Sequence, residues 1–67
     1  MLDRDAFRRA FDSLDADARA LIVLRHLEDR SIAEIAAVLG IPEGTVKSRL
    51  FAARRVLQTA LAREERE

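Results

Sequence analysis

The stretch Ser31-Ile-Ala-Glu-Ile-Ala-Ala-Val-Leu-Gly-Ile-Pro-Glu-Gly-Thr-Val-Lys-Ser-Arg-Leu50 decides the fold. Ser31 followed three residues later by Glu34 forms a capping box, in which each side chain satisfies a backbone N–H left open at a helix start. Ile32, Ile35, Ala36 and Leu39 then supply one apolar face, predicting a short helix over 32–39. Gly40 can take the left-handed conformation that closes a helix, Ile41 can pack back into the core, and Pro42 suits the first turn of whatever follows. From Pro42 onward Val46, Leu50, Ala53 and Leu57 recur at i, i+4, i+7 and i+11, predicting a helix over 42–62 with a frayed tail over 63–67. Two helices joined through a tight glycine turn, the second one basic, is the helix-turn-helix plan. Its second helix enters the major groove with its N-terminal turns.

Toward the N-terminus, Phe7, Ala10, Phe11 and Leu14 share the i, i+3, i+4, i+7 spacing and predict a helix over 3–12 that ends at Ser13 and Leu14. Asp15 is a good N-cap for a helix over 15–27, and Asp17 in its first turn suits the helix dipole. The apolar block Leu21 to Leu24 taken alone could be a buried strand, but Ala18, Ala20 and Leu27 extend it to helical length. Being apolar nearly all round, this second helix is expected at the centre, touched by each of the others. The fold class is therefore all-α, a single four-helix domain over 1–67, with no repeat or low-complexity segment.

A chain of 67 residues makes one small core, since a domain of this size buries only about 60% of the surface its unfolded chain exposes. It has no cysteine and a single histidine, so neither a disulfide nor a structural zinc can hold it, and no cofactor is expected. No apolar run reaches the roughly 20 residues of a membrane span, and no signal pattern opens the chain. A cytoplasmic protein without a membrane or small-molecule partner is expected. The formal net charge is zero, yet Thr45 to Arg63 holds Lys47, Arg49, Arg54, Arg55 and Arg63 and no acid. The acids Asp3, Asp5, Asp12, Asp15, Asp17, Glu28 and Asp29 lie in the first half, so one basic helix is offset by the rest.

With the Val46/Leu50/Ala53/Leu57 stripe inward and about 100° between successive residues, Lys47, Ser48, Phe51, Ala52 and Arg55 face away from the core. Lys47 can donate to a guanine edge or a phosphate, Ser48 to a base or a phosphate, and Phe51 suits thymine methyls or a sugar edge. The alternative for Phe51 is cover by the first helix or by a partner protein. Arg49 and Arg54 sit on the flanks, where phosphate clamping positions a domain without reading sequence; the plainer alternative is a solvated basic face. Arg25 interrupts the apolar middle of the second helix and either snorkels to the surface or points at the DNA backbone. His26, with no carboxylate, serine or cysteine constellation near it, reads as a packed side chain. Nothing in the chain reads as an enzyme.

Leu14 to Glu28, Ser31 to Leu50 and Phe51-Ala-Ala-Arg-Arg55 closely resemble domain four of the extracytoplasmic-function (group IV) bacterial sigma factors. The Gly44 to Leu50 run and Ala53-Arg54 are specific to that family, whereas Ala33-Glu-Ile-Ala36 is shared by many helix-turn-helix proteins. The resemblance implies recognition of the minus-thirty-five promoter element in double-stranded DNA, while the flap of the RNA polymerase β subunit grips the same domain. It also implies an anti-sigma factor as a further partner. In the family, positions matching Arg25, Thr45, Lys47, Ser48, Arg49 and Phe51 lie at or near the DNA.

Three departures stand out. Asp29 replaces a usual glycine between the second and third helices, where aspartate tolerates a left-handed turn better than most residues. Ile32 takes a place often held by tyrosine, and Ala52 one often held by a basic residue, so weak DNA affinity is expected. The sigma domain that opens the promoter would precede this one and nothing here resembles it; an excised part of a longer protein is expected, with a free-standing module as the alternative. Two rival functions remain. The LuxR-type output domain shares the Ile-Ala and Thr-Val-Lys pattern but usually continues with a histidine and an Ile-x-x-Lys-Leu series, where this chain has Ser48-Arg49-Leu50 and Ala53-Arg54-Arg55. A sigma-like docking or decoy module would bind an anti-sigma factor or polymerase without reading DNA.

Overall fold

The computed structural model describes residues 4–66, and among them the chain forms helices and turns with no strand. Helix α1 spans Arg4–Asp12, α2 spans Ala16–Ile22 and runs directly into a π-helical segment Val23–Leu27, α3 spans Ile32–Leu39 and α4 spans Glu43–Arg66. Asp3, where the first helix is expected to begin, lies outside the described residues.

The helix starts follow from local chemistry. Asp15 accepts a hydrogen bond from the Ala18 N–H at 2.8 Å, capping α2. At α3 the Ser31 hydroxyl accepts from the Glu34 N–H at 3.0 Å, and the Glu34 carboxylate accepts from the Ser31 N–H at 2.9 Å. Gly40 closes α3 at φ 69°, with the Ile41 N–H reaching back five residues to the Ala36 carbonyl at 3.1 Å. This is the glycine-centred wrap that satisfies a helix's last carbonyls.

The turn before α3 is wider. Glu28 N–H bonds the Val23 carbonyl at 3.0 Å, five residues back, and Arg30 N–H bonds the Leu24 carbonyl six residues back at 3.0 Å. Asp29 stands between them at φ 55°, taking the left-handed conformation that a side-chain-bearing residue seldom adopts and aspartate tolerates.

The centre of the molecule is α4, against which α1, α2 and α3 all pack, and not the second helix. Length explains the correction: α2 is regular for only 7 residues, whereas the 24 residues of α4 offer three neighbours a surface. A helix of that length is about 36 Å long, close to the 39 Å longest dimension of the molecule. The core gathers Leu14, Leu21, Ile22, Ile35, Ala36, Val46, Leu50 and Ala53, with Leu57 half-buried at its edge. Ile35, Val46 and Leu50 are its most enclosed large side chains. α4 continues past Ala62 as far as Arg66, and Glu67 lies outside the described residues. No glycine or proline follows Gly44, Ala60 and Leu61 are half-buried, and the Arg-Glu-rich end consists of good helix formers.

Candidate nucleic-acid interface

The tight Gly40 turn sets α4 directly after α3, and the outer side of the first turns of α4 is open to solvent. Lys47, Ser48, Phe51, Ala52 and Arg55 are all exposed there, opposite the buried Val46, Leu50 and Ala53. Phe51 is 62% exposed, and the Arg55 guanidinium lies 5.8 Å from its ring centroid. That distance is within cation–π range, so the ring's face and the positive charge form one unit. Thr45 is half-buried one residue before Val46.

The other basic residues go to different surroundings. Arg49 is exposed on one flank and, with Asp15 and Asp17 at the start of α2, borders a depression of about 460 Å³. Arg25 is half-buried and donates to the Arg30 carbonyl at 3.0 Å, tying down the turn that leads into α3. Arg54 is half-buried on the opposite flank of α4, where its Nε donates to His26 Nε2 at 3.1 Å. The structure thus brings Lys47, Ser48, Phe51 and Arg55 together on one face, with Arg49 on one flank of it, Arg54 bonded to His26 on the flank that carries Lys47, and Arg25 directed away to the turn before α3.

His26 is not a packed side chain. It is exposed and accepts a hydrogen bond from a residue 28 positions away. An imidazole nitrogen that accepts carries no proton, so the ring hydrogen belongs on Nδ1. No local spacing in the sequence signals the pair, because the π-helical segment and the middle of α4 meet only in the folded chain.

Beside the His26–Arg54 bond lies an apolar cavity of about 250 Å³, walled chiefly by Phe7, Phe11, Ile22, Leu27 and Leu57. Phe7 and Phe11 stack with ring centroids 6.0 Å apart, and Leu27 is 71% exposed at the rim. The large side chains of the second helix divide: Leu21 and Ile22 fill the core, while Leu27 is left open.

Comparison with known proteins agrees with this geometry. Residues 4–57 match the family described as Sigma-70, region 4. The ECF RNA polymerase sigma-E factor of Escherichia coli K12 is 47% identical over 49 residues, covering 73% of this chain and 26% of that protein. The Salmonella typhimurium LT2 protein of the same name matches equally, at 47% over 49 residues. The ECF RNA polymerase sigma factor SigE of Mycolicibacterium smegmatis is 43% identical over 58 residues, covering 87% of this chain and 23% of that protein. The chain therefore spans about a quarter of the length of the curated relatives it matches. The matched span runs from the start of α1 through the exposed face of α4 to Leu57, which sets aside a LuxR-type origin: the chain belongs to the sigma-70 region 4 family, in its extracytoplasmic-function branch.

Proposed function

We propose that this domain recognises the minus-thirty-five element of bacterial promoters through the first turns of α4, as part of a sigma factor that directs RNA polymerase in transcription initiation. The observation that carries the reading is the exposed set Lys47, Ser48, Phe51 and Arg55 on the helix that follows the Gly40 turn. Lys47 and Ser48 supply donors for base edges or phosphates, and Phe51 supplies an apolar face for thymine methyls. Arg49, Arg55 and the half-buried Thr45 serve the adjoining backbone, where contacts fix register without reading sequence. Arg25 acts indirectly, by holding the turn that orients α3.

The flap of the RNA polymerase β subunit is assigned to the Phe7/Phe11/Leu27 cavity, since a helix-in-groove partner needs an open apolar strip. An anti-sigma factor would inhibit by covering the reading face. No helix among the described residues is long and apolar enough to cross a membrane.

The deciding experiment titrates the domain at low salt with duplex carrying the promoter hexamer and with scrambled duplex. Tighter binding to the hexamer is expected. Equal binding to both, or to neither, would remove the promoter-reading role and favour a docking module.

A further inference from the structure

We propose that His26 is a positioning residue for Arg54: it holds the guanidinium against the wall of the domain while its ring is neutral, and protonation releases Arg54 to a DNA phosphate. This rests on the DNA-binding reading above.

The bond joins two elements through side chains alone, Arg54 Nε to His26 Nε2 at 3.1 Å. Arginine keeps its proton at every accessible pH, so His26 is the group whose state decides whether the bond exists. A protonated imidazole has two N–H donors and no acceptor, and it would set a second positive charge against the guanidinium. Among the described residues no carboxylate lines the cavity to offset that repulsion. There α4 presents Arg54 and the neutral Gln58, α1 presents Phe7 and Phe11, and α3 contributes no residue. Arg25, the neighbour of His26 in the chain, is directed to the Arg30 carbonyl. Histidine is the side chain whose charge ordinarily changes between about pH 5 and pH 8.

The released guanidinium has somewhere to go. Arg54 lies at i+7 from Lys47, on the same side of α4 and about 10 Å further along its axis. Side chains on a helix lean toward its N-terminus, so an unbonded Arg54 extends toward Lys47 and the DNA end. Both residues are accessible enough to be changed without unpacking the core, His26 being exposed and Arg54 half-buried.

Two arms test the proposal. In the free domain, ¹⁵N NMR of the imidazole near pH 8 should show the Nδ1–H tautomer, with Nε2 shifted by its hydrogen bond, and Arg54→Gln should alter that signature. An Nε2–H tautomer, or no response to Arg54→Gln, would overturn the latch whatever the DNA results. In the second arm, duplex affinity is compared at pH 5.5 and pH 8 across a salt series. Wild type should bind roughly three- to tenfold tighter at the lower pH, with a salt slope steeper by about one, as one added phosphate contact requires. His26→Gln, which keeps an acceptor but cannot titrate, should lose this difference, and so should Arg54→Gln. A pH effect that survives His26→Gln would exclude His26. One that survives Arg54→Gln would mean that the imidazolium acts by its own charge, which also overturns the proposal. Absence of duplex binding at both pH values would refute release to DNA together with the functional reading, whereas the NMR arm would still decide the latch itself.

Discussion

Phe51 is the most distinctive side chain of the exposed face: its ring is 62% exposed, roofed by Arg55, and two residues beyond the clamp candidate Arg49. A base-reading side chain and a phosphate clamp leave different signatures. Phe51→Ala should cost ~1–3 kcal/mol on the promoter hexamer and little on scrambled duplex. Lys47→Ala should follow the same pattern more weakly if its ammonium divides between guanine and phosphate. Arg49→Ala should weaken both duplexes alike and flatten the salt dependence by about one unit of slope. Isothermal titration of the three variants against both duplexes checks all of this, and equal losses on the two duplexes for Phe51→Ala would remove its reading role. The flank position of Arg49 beside Asp15 and Asp17 sharpens the expectation: those carboxylates repel phosphate, so its contribution should fall below that of an arginine standing alone.

At the scale of the helices, α4 depends on a narrow inward stripe in which Val46 and Leu50 are almost wholly enclosed. Leu50→Ala should cost ~2–5 kcal/mol, as for other core leucines. With a total stability of only ~3–5 kcal/mol expected for so small a core, a urea melt followed by circular dichroism should find the variant largely unfolded; a cooperative melt near wild type would contradict the packing. The start of α3 carries a pH signature. The Ser31 N–H first, then the Ser31 hydroxyl and the charge of Arg30, hold the Glu34 carboxyl below its ordinary value of 4.5. A depressed carboxylate contributes stability above its unfolded value, and that contribution disappears as the pH falls through the lowered folded value. The melting difference between wild type and Glu34→Gln should therefore shrink on acidification from roughly pH 6 to pH 3. Such caps were legible in the sequence because they are local: Asp15, Ser31 with Glu34, and Gly40 each act within a few residues. The outward face of α4 was legible for the same reason, since period and stripe determine it. The π-helical segment, the central place of α4 and the His26–Arg54 bond were not. Each arises from how separate helices meet, and His26 and Arg54 share no local pattern across their 28 intervening steps.

For the molecule as a whole, the question is whether its two exposed faces can be occupied at once. The proposed reading face lies at the N-terminal end of α4, where Lys47, Ser48 and Phe51 are exposed. The apolar cavity is walled further along the same helix by Leu57 and on its other sides by Phe7, Phe11 and Leu27. From Lys47 to Leu57 is about 15 Å along the helix axis, enough for one partner to seat a helix in the cavity while the first turns of α4 stay in a DNA groove. Exposed phenylalanine and leucine side chains gain from burial by such a partner at roughly 25 cal/mol per Å² of apolar surface, and the charge of Arg54 at the margin favours acidic residues on it. A β-flap peptide should therefore bind together with promoter duplex, and Leu27→Asp should abolish peptide binding while leaving duplex affinity within about twofold, because a single exposed substitution usually costs stability less than ~0.5 kcal/mol. Fluorescence anisotropy with separately labelled peptide and duplex makes the measurement. An inhibitor that covers Phe51 would behave in the opposite way, displacing duplex without needing Leu27. If the flap peptide displaced the duplex, or bound the Leu27→Asp variant as well as wild type, the cavity would not be its seat, and polymerase and promoter would have to compete for the face around Phe51.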